Sequence, residues 1–428
     1  MHDPIKRLPS PRRVLAALAL VPAVLLGATG VSPAASPSPG PSQSPEGDIT
    51  GEWPLQSAHF DAQKIWALTR GQGITVAVVD SGVAANHPDL TGQVLPGTSL
   101  LGDGDDGRTD TSSESHGTAI AALIAGTGAS AHGKGIIGLA PDAKILPVRV
   151  TSGSQVTAPL LAQGIIWAAD HGAQIINVSI GSPTPDPLLK QAVAYAGRKD
   201  AVVVASAGNN GQTGNEMQYP AGFPGVVAVS GTDQNHAFWP TSASGPDITV
   251  AAPAAQIASA GDNGQYVQAD GTSYAAGYVS AALALIRSHN PHLTAGQAIA
   301  ALISTTRDHH AVPDDQLGYG EIDPLAALTA PPAASTTNPL LAPRPTAPTA
   351  SPTLWAGLGV SAVVLLAAGG VWLWWRRTRP RRPTPGAAAP RPAAGERPRN
   401  GAKKKGRPTS NASATAPRAR STSSARRR

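Results

Sequence analysis

The 428-residue chain has no cysteine, which excludes a disulfide framework and any Cys-ligated zinc or iron–sulfur centre. Charged residues are sparse at 14%, while hydrophobic residues reach 41%. That balance excludes a fully disordered chain, because such chains are poor in apolar residues and rich in charge. Repetition at a period of roughly 20–50 residues, the mark of solenoids and propellers, is not visible. Glycine and proline are abundant instead, at 46 and 41 residues, more than one compact domain ordinarily carries. Ordered and low-complexity stretches therefore share the chain, whose length accommodates one large domain plus further segments.

The net charge of +6 averages over segments of opposite sign. Residues 376–428 hold 17 Lys/Arg against one acid, Glu396, whereas residues 36–353 hold 12 Lys/Arg against 25 Asp/Glu. The acidic main body does not suit nucleic-acid binding, and the basic charge belongs to the tail.

The two ends suggest a compartment. Lys6, Arg7, Arg12 and Arg13 precede an apolar run from Val14 to Ala28 and small residues through Ala35, the three parts of a secretory signal peptide; the alternative is an uncleaved anchor. A second apolar segment, Leu354 to Trp375, has 22 residues and no charge, enough to cross a hydrocarbon core of about 30 Å. Trp355 lies at one end and Trp372, Trp374 and Trp375 at the other, followed by five arginines between Arg376 and Arg382. Indoles favour the membrane interface and basic residues the cytoplasmic side, so a single-pass protein is expected, with its body outside. The basic tail is expected to be disordered and to meet anionic lipid headgroups at the inner leaflet. The expected organisation is a signal peptide (1–35), a short extension (36–56), a main domain (57–330), a Pro/Ser/Thr-rich extended stalk (331–353), a transmembrane helix (354–375) and a cytoplasmic tail (376–428).

Within the body, β-rich runs occur at 74–79, 145–150, 175–180, 202–207, 226–230 and 248–252. Helical stretches lie at 116–125, 159–171, 188–196, 273–289 and 295–304. Gly172 suits the position just past a helix end, and Thr294 with Gln297 forms a capping box. Near-continuous apolar strands alternating with helices predict an α/β fold with a central, mostly parallel sheet flanked by helices. Functional groups in such sheets gather beyond the carboxyl ends of the strands.

Four polar residues fall at such places. Asp80 closes a strand in VAVVD-SG, His116 opens a helix in SHGTAIAALIAG, Asn209 follows a strand in VASAGN, and Ser273 opens a helix in DGTSYAA. Singly, each has a plainer reading, as a turn residue, a surface histidine or a helix cap. Together they occur in the chain order Asp, His, Ser, which is the subtilisin order and differs from that of the α/β-hydrolases and of chymotrypsin.

The segments Asp80-Ser-Gly, His116-Gly-Thr and Gly271-Thr-Ser-Tyr-Ala resemble the signature boxes of the subtilisin-like serine proteases, and Ala207-Gly-Asn209 resembles their oxyanion segment. The resemblance spans roughly residues 57–330 and includes Gly138–Arg149, Ile176–Gly181 and Tyr219-Pro-Ala. The layout is further similar to that of the mycosins, the membrane-anchored proteases of type VII secretion systems, whose domain ends in a phrase like Gly318–Leu328. About 20 residues between Ala35 and Gln56 are too few to fold as a separate prodomain. The chain departs from the mycosins in lacking cysteine and from the subtilases in carrying Gly277 where proline is usual.

The resemblance implies a serine endopeptidase with Asp80, His116 and Ser273 as the triad, Asn209 in the oxyanion hole, and Ser179, Ile180, Gly181 and Ser182 as an edge for the substrate backbone. No cofactor or metal is assigned. The implied partners are a peptide or protein substrate, membrane lipid and type VII secretion membrane components. A different reading is a structural subunit of a secretion complex in which cleavage is dispensable. Asp103, Asp105, Asp106 and Asp110 suggest a calcium loop, but Gly107 and Arg108 stand where the EF pattern needs Asp/Asn and Gly, so a solvated acidic loop is preferred. His309 and His310 lack an evident third ligand and are read as surface residues; His59, His87 and His132 are left unassigned.

Overall fold

Apolar β-branched residues on both faces of a strand require cover on both faces, and the sheet is arranged accordingly. The computed structural model describes residues 51–130, 135–153, 155–261, 264–344 and 352–379, with side chains in the last segment from Leu365 onward. Seven parallel strands lie in the order β2-β3-β1-β4-β5-β6-β7. They are β1 (Thr75–Asp80), β2 (Thr98–Ser99), β3 (Lys144–Arg149), β4 (Ile175–Val178), β5 (Val202–Ser206), β6 (Val227–Thr232) and β7 (Val250–Pro253). A separate antiparallel hairpin pairs β8 (Ile257–Ala260) with β9 (Tyr266–Ala269).

The alternation of side chains along each strand sorts the core into two layers. Val76 and Val78 of β1 join the cluster formed with α2 (His116–Ala125) and α5 (Thr272–His289), whereas Ala77 and Val79 join that of α3 (Ala158–Asp170) and α4 (Pro187–Arg198). α5 is buried from Thr272 to Ser288 and packs on α2 and on β4 to β7. Shorter helices are α1 (Ala62–Trp66), α6 (Ala295–Ser304) and α7 (Pro324–Thr329). Gly172 takes φ +79 just past α3, and the Thr294–Gln297 capping box is formed at the start of α6.

The first part of the expected stalk is not a free, extended segment. Gln297 Nε2 donates to the Ala333 carbonyl at 2.8 Å, Thr294 Oγ1 to that of Thr336 at 3.2 Å, and Asn338 Nδ2 to that of Gly225 at 2.8 Å. The physical reason is a close backbone approach, since a Cβ on Gly296 would stand 2.4 Å from the Thr336 oxygen. The chain divides into two units after Pro348, beyond the expected boundary at 330.

In the second unit, α8 (Pro352–Thr378) is a helix of 27 residues. Among the described residues no helix is long and apolar enough to cross a membrane, and the described side chains cover only the second half of the expected span. From Leu365 to Trp375 the large apolar ones are exposed. The expected signal peptide, all but the last residues of the 36–56 extension, residues 345–351 of the stalk and the tail beyond 379 lie outside the described residues.

Candidate active site

The carboxyl edge of the sheet gathers the expected groups. Asp80 is the last residue of β1, Ser179 follows β4 and Asn209 lies just beyond β5, and these three strands are consecutive neighbours. The connection leaving β1 runs toward β2 and β3 and that leaving β4 toward β5, so the strand order reverses between β1 and β4, the place at which open α/β sheets form a crevice.

His116 reaches Asp80 because Gly117 lets α2 close on the end of β1, and Gly82 lets the loop at Thr109 close beside it. A Cβ on Gly117 would lie 2.1 Å from the Gly82 carbonyl oxygen and 3.2 Å from Asp80 Cβ, and one on Gly82, at φ +100, would lie 2.1 Å from the Thr109 oxygen. This accounts for the glycines of the Asp-Ser-Gly and His-Gly-Thr segments. The first turn of α2 has its free N–H groups satisfied by side chains. His116 N donates to Ser112 Oγ at 3.1 Å, Gly117 N to Ser81 Oγ at 3.1 Å and Thr118 N to Asp110 Oδ2 at 2.9 Å. Asp110 also accepts from the hydroxyls of Ser81, Ser112 and Thr118. It therefore braces the histidine helix.

Asp80 is fully buried, and its Oδ1 lies 2.8 Å from His116 Nδ1 while also accepting from Ser81 N at 2.8 Å. A carboxylate at Nδ1 fixes the tautomer with the proton there and leaves Nε2 as the basic nitrogen. Burial of the ring disfavours its charge, but the carboxylate of Asp80, aided by those of Asp110 and Glu114, outweighs burial and raises the imidazole above its ordinary value.

Ser273 occupies the first turn of α5 and is 7% exposed. Its hydroxyl donates to the Ser179 carbonyl at 2.9 Å, and among the described residues no hydrogen bond joins it to His116. Its backbone N–H, at the helix start, has no acceptor among them either. Asn209 is exposed, and its Oδ1 accepts from both Thr272 N and Thr272 Oγ1 at 2.9 Å. The amide is thereby oriented with its NH₂ group free, 3.4 Å from where a Cβ on Gly271 would be. Two donors, the Asn209 NH₂ and the Ser273 N–H, are thus available to an anionic oxygen.

The four residues expected to form the substrate edge separate into two groups. Ser182 has its N–H and carbonyl engaged by Tyr219, each at 2.9 Å, and Ile180 is buried. Ser179 lies against Ser273 through two hydrogen bonds, and Gly181 is half-buried beside Gln218. A Cβ on Gly181 or Gly208 would lie 2.8 Å from the Gln218 side chain, so Gln218 fills the slot between them, a contact that sequence spacing did not disclose.

The acidic loop is neutralised from within. Arg149, its side chain 3% exposed, pairs with Asp103, lies 3.7 Å from Asp105, and donates to Ser99 Oγ and the Thr109 carbonyl. No group of three or more His, Cys, Asp or Glu residues suited to a metal occurs among the described residues. His309 stacks on Tyr319 and His310 pairs with Asp314 at 3.1 Å. His87 Nδ1 accepts from Asp89 N, and His59 packs between Trp53 and His236; His132 lies outside the described residues.

An imidazole held by a buried carboxylate at the rim of a parallel sheet, with a serine opening the adjacent buried helix, defines the class of α/β serine hydrolases. The chain belongs to the subtilase family, whose family model matches residues 71–320, and it is a subtilisin-like serine endopeptidase. Thermitase of Thermoactinomyces vulgaris is 38% identical over 260 residues, which cover 59% of this chain and 90% of that protein. Among solved structures, MycP1, described as a serine protease and an essential component of the type VII (ESX-1) secretion system, is 32% identical with a TM-score of 0.58. That match covers 68% of this chain and 90% of the other. MycP1 from Mycobacterium smegmatis is 29% identical with a TM-score of 0.58, covering 72% and 90% of the two chains.

Proposed function

We infer that the protein is an exported, membrane-anchored endopeptidase of the mycosin type, which hydrolyses peptide bonds of secreted or cell-surface proteins with Asp80, His116 and Ser273. The observation that carries this reading is the 2.8 Å contact between Asp80 Oδ1 and His116 Nδ1 at the strand edge that also holds the Ser273 hydroxyl.

The substrate lies against the Ser179–Gly181 edge. Ser273 Oγ turns from the Ser179 carbonyl to His116 Nε2, gives up its proton there and bonds to the scissile carbonyl carbon. The carbonyl oxygen takes the negative charge and is held by the Asn209 NH₂ and the Ser273 N–H, near the positive end of the α5 dipole. The C–N bond then breaks, and the leaving amine takes the proton from His116. Water gives its proton to the same nitrogen, attacks the acyl ester and releases the acid, and the proton returns to Ser273. Asp80 stabilises the imidazolium throughout and stays ionised.

Support for the anchor comes from the charge-free segment 354–375 with arginines after it, and support for the secretion role from the likeness to MycP1. The test compares the shed and surface proteome of cells carrying the wild type with that of cells carrying Ser273→Ala, together with protease accessibility of the domain in intact cells. Specific products lost in the mutant, with the domain accessible from outside, support the reading. Identical proteomes leave only a structural role, and a protected domain removes the proposed orientation.

A further inference from the structure

Three buried polar side chains form, together with the backbone of α5, a closed circuit with Ser273, and two of them have no part in the reaction as derived above. Ser280 lies about two helical turns beyond Ser273, on the same face of α5. It donates its hydroxyl to Asn177 Oδ1 at 2.9 Å. That bond fixes the amide, so that Asn177 Nδ2 donates to Ser179 Oγ at 2.8 Å. Ser179 Oγ, already accepting, spends its own proton on the Ser273 carbonyl at 3.0 Å. Ser273 Oγ completes the circuit by donating to the Ser179 carbonyl at 2.9 Å.

All four residues are buried, Asn177 and Ser280 completely. In a site of low dielectric, a polar group with every partner in place is held rigidly, and removal of one partner frees the rest to reorient. The circuit ties two points of α5, at 273 and 280, to two points of β4 and its end, at 177 and 179. Gly277 lies between the two helix points, and a Cβ there would meet only Ile120 and Leu123, at ordinary contact distances of 3.6 to 3.9 Å. Side-chain hydrogen bonds thus link the start of α5 to the end of β4.

We propose that Ser280 and Asn177 are positioning residues for the nucleophile, acting through Ser179 to set the height and resting direction of the Ser273 hydroxyl. This rests on Ser273 being the nucleophile. Replacement of Ser280 by alanine removes the donor that fixes the Asn177 amide. The amide can then rotate to offer its oxygen to Ser179 Oγ, which turns away from the Ser273 carbonyl. Because reacting atoms must be aligned closely for attack, a small displacement at this distance lowers the rate without affecting how a ligand is held.

The test uses the full-length protein in membranes and a fluorophosphonate, with the limiting labelling rate and the half-saturating concentration measured separately. Ser280→Ala is expected to lower the limiting rate about tenfold, with the half-saturating concentration and the pH midpoint unchanged. Ser288→Ala is the control, since Ser288 lies on the same helix and its hydroxyl donates to the Gln72 carbonyl at 2.8 Å and accepts from Thr69 Oγ1 at 3.0 Å; despite losing both bonds, its labelling rate should match the wild type. Alanine is favourable in a helix, so both variants are expected to fold. A Ser280→Ala protein that labels at the wild-type limiting rate, or equal losses in both variants, overturns the positioning role. Ser273→Ala is run alongside. If it labels like wild type, the nucleophile assignment fails, whereas an unreactive Ser273→Ala beside a fully reactive Ser280→Ala overturns only the present inference.

Discussion

Gly117 and Gly82 meet backbone to backbone, so closely that a Cβ on Gly117 would stand 2.1 Å from the Gly82 oxygen. This contact sets the distance between the helix carrying His116 and the strand ending in Asp80. Gly117→Ala must push α2 away from β1. The expected cost is about 1–3 kcal/mol of stability, as for other overpacked sites, together with a loss of fluorophosphonate labelling that persists well below the melting temperature. Calorimetry and labelling of the purified protein check both.

Gly277 is the opposite case. A Cβ there would meet Ile120 at 3.6 Å and Leu123 at 3.9 Å, ordinary contact distances, in the middle of the 18-residue helix α5. Gly277→Ala is expected to stabilise the protein by about 0.5–1 kcal/mol, because alanine loses less backbone entropy than glycine in a helix. A raised melting temperature with unchanged labelling is the result to look for.

The His116 imidazole makes the pH dependence of rate and of stability run in opposite directions. Burial works against its charge, yet Asp80, Asp110 and Glu114 together raise it above the ordinary value. It therefore holds its proton more tightly folded than unfolded. The ion pair adds stability that is fully present below the unfolded value of about 6.5 and is lost as pH rises through the folded value. Activity needs the neutral ring, so it falls as pH drops through that same folded value, with a midpoint above about 6.5. Asp80→Asn removes the main raising charge and leaves burial, so the midpoint should move down. The rate should fall about 10⁴-fold, the size of the effect that loss of the triad aspartate has in subtilisin. A labelling-rate profile against pH measures both effects.

Arg149 extends from β3 into the loop of Asp103 and Asp105, with its side chain 3% exposed. Arg149→Ala leaves the Thr109 carbonyl and Ser99 hydroxyl without their donor and Asp103 and Asp105 without their counter-charge. A loss of about 1.5–3 kcal/mol is expected, the range for hydrogen bonds to a charged group. It should be largest at low ionic strength because the carboxylates are partly exposed, and denaturant titrations at two salt concentrations check it.

The sheet was readable from sequence where both of its faces are covered. Runs such as Val76–Val79 and Val202–Ala205 are apolar throughout because one set of side chains meets α2 and α5 and the other α3 and α4. β2, with two residues, and the β8–β9 hairpin, whose Tyr266 is 43% exposed, lack that signal, as do the short helices α1 and α7. A Ser/Thr/Pro-rich composition does not show that Gly296 admits the Thr336 carbonyl, so the docking of residues 333–338 was not readable from sequence. Within the site, the positions of Asp80, His116, Asn209 and Ser273 followed from local phrases. The pairing of the Ser182 backbone with Tyr219 was not readable from the local phrase. Thr272, Asn177, Ser280 and Arg149 act through bonds to residues between 40 and 103 positions away, which no local pattern discloses.

The central claim is that Ser273 attacks with help from the Asp80–His116 pair. The most direct measurement is mass-spectrometric mapping of the fluorophosphonate adduct in wild type, Ser273→Ala and His116→Ala. One adduct is predicted, on Ser273 in the wild type, absent in Ser273→Ala and nearly absent in His116→Ala. An adduct on another side chain, or undiminished modification of Ser273 without His116, would contradict the account.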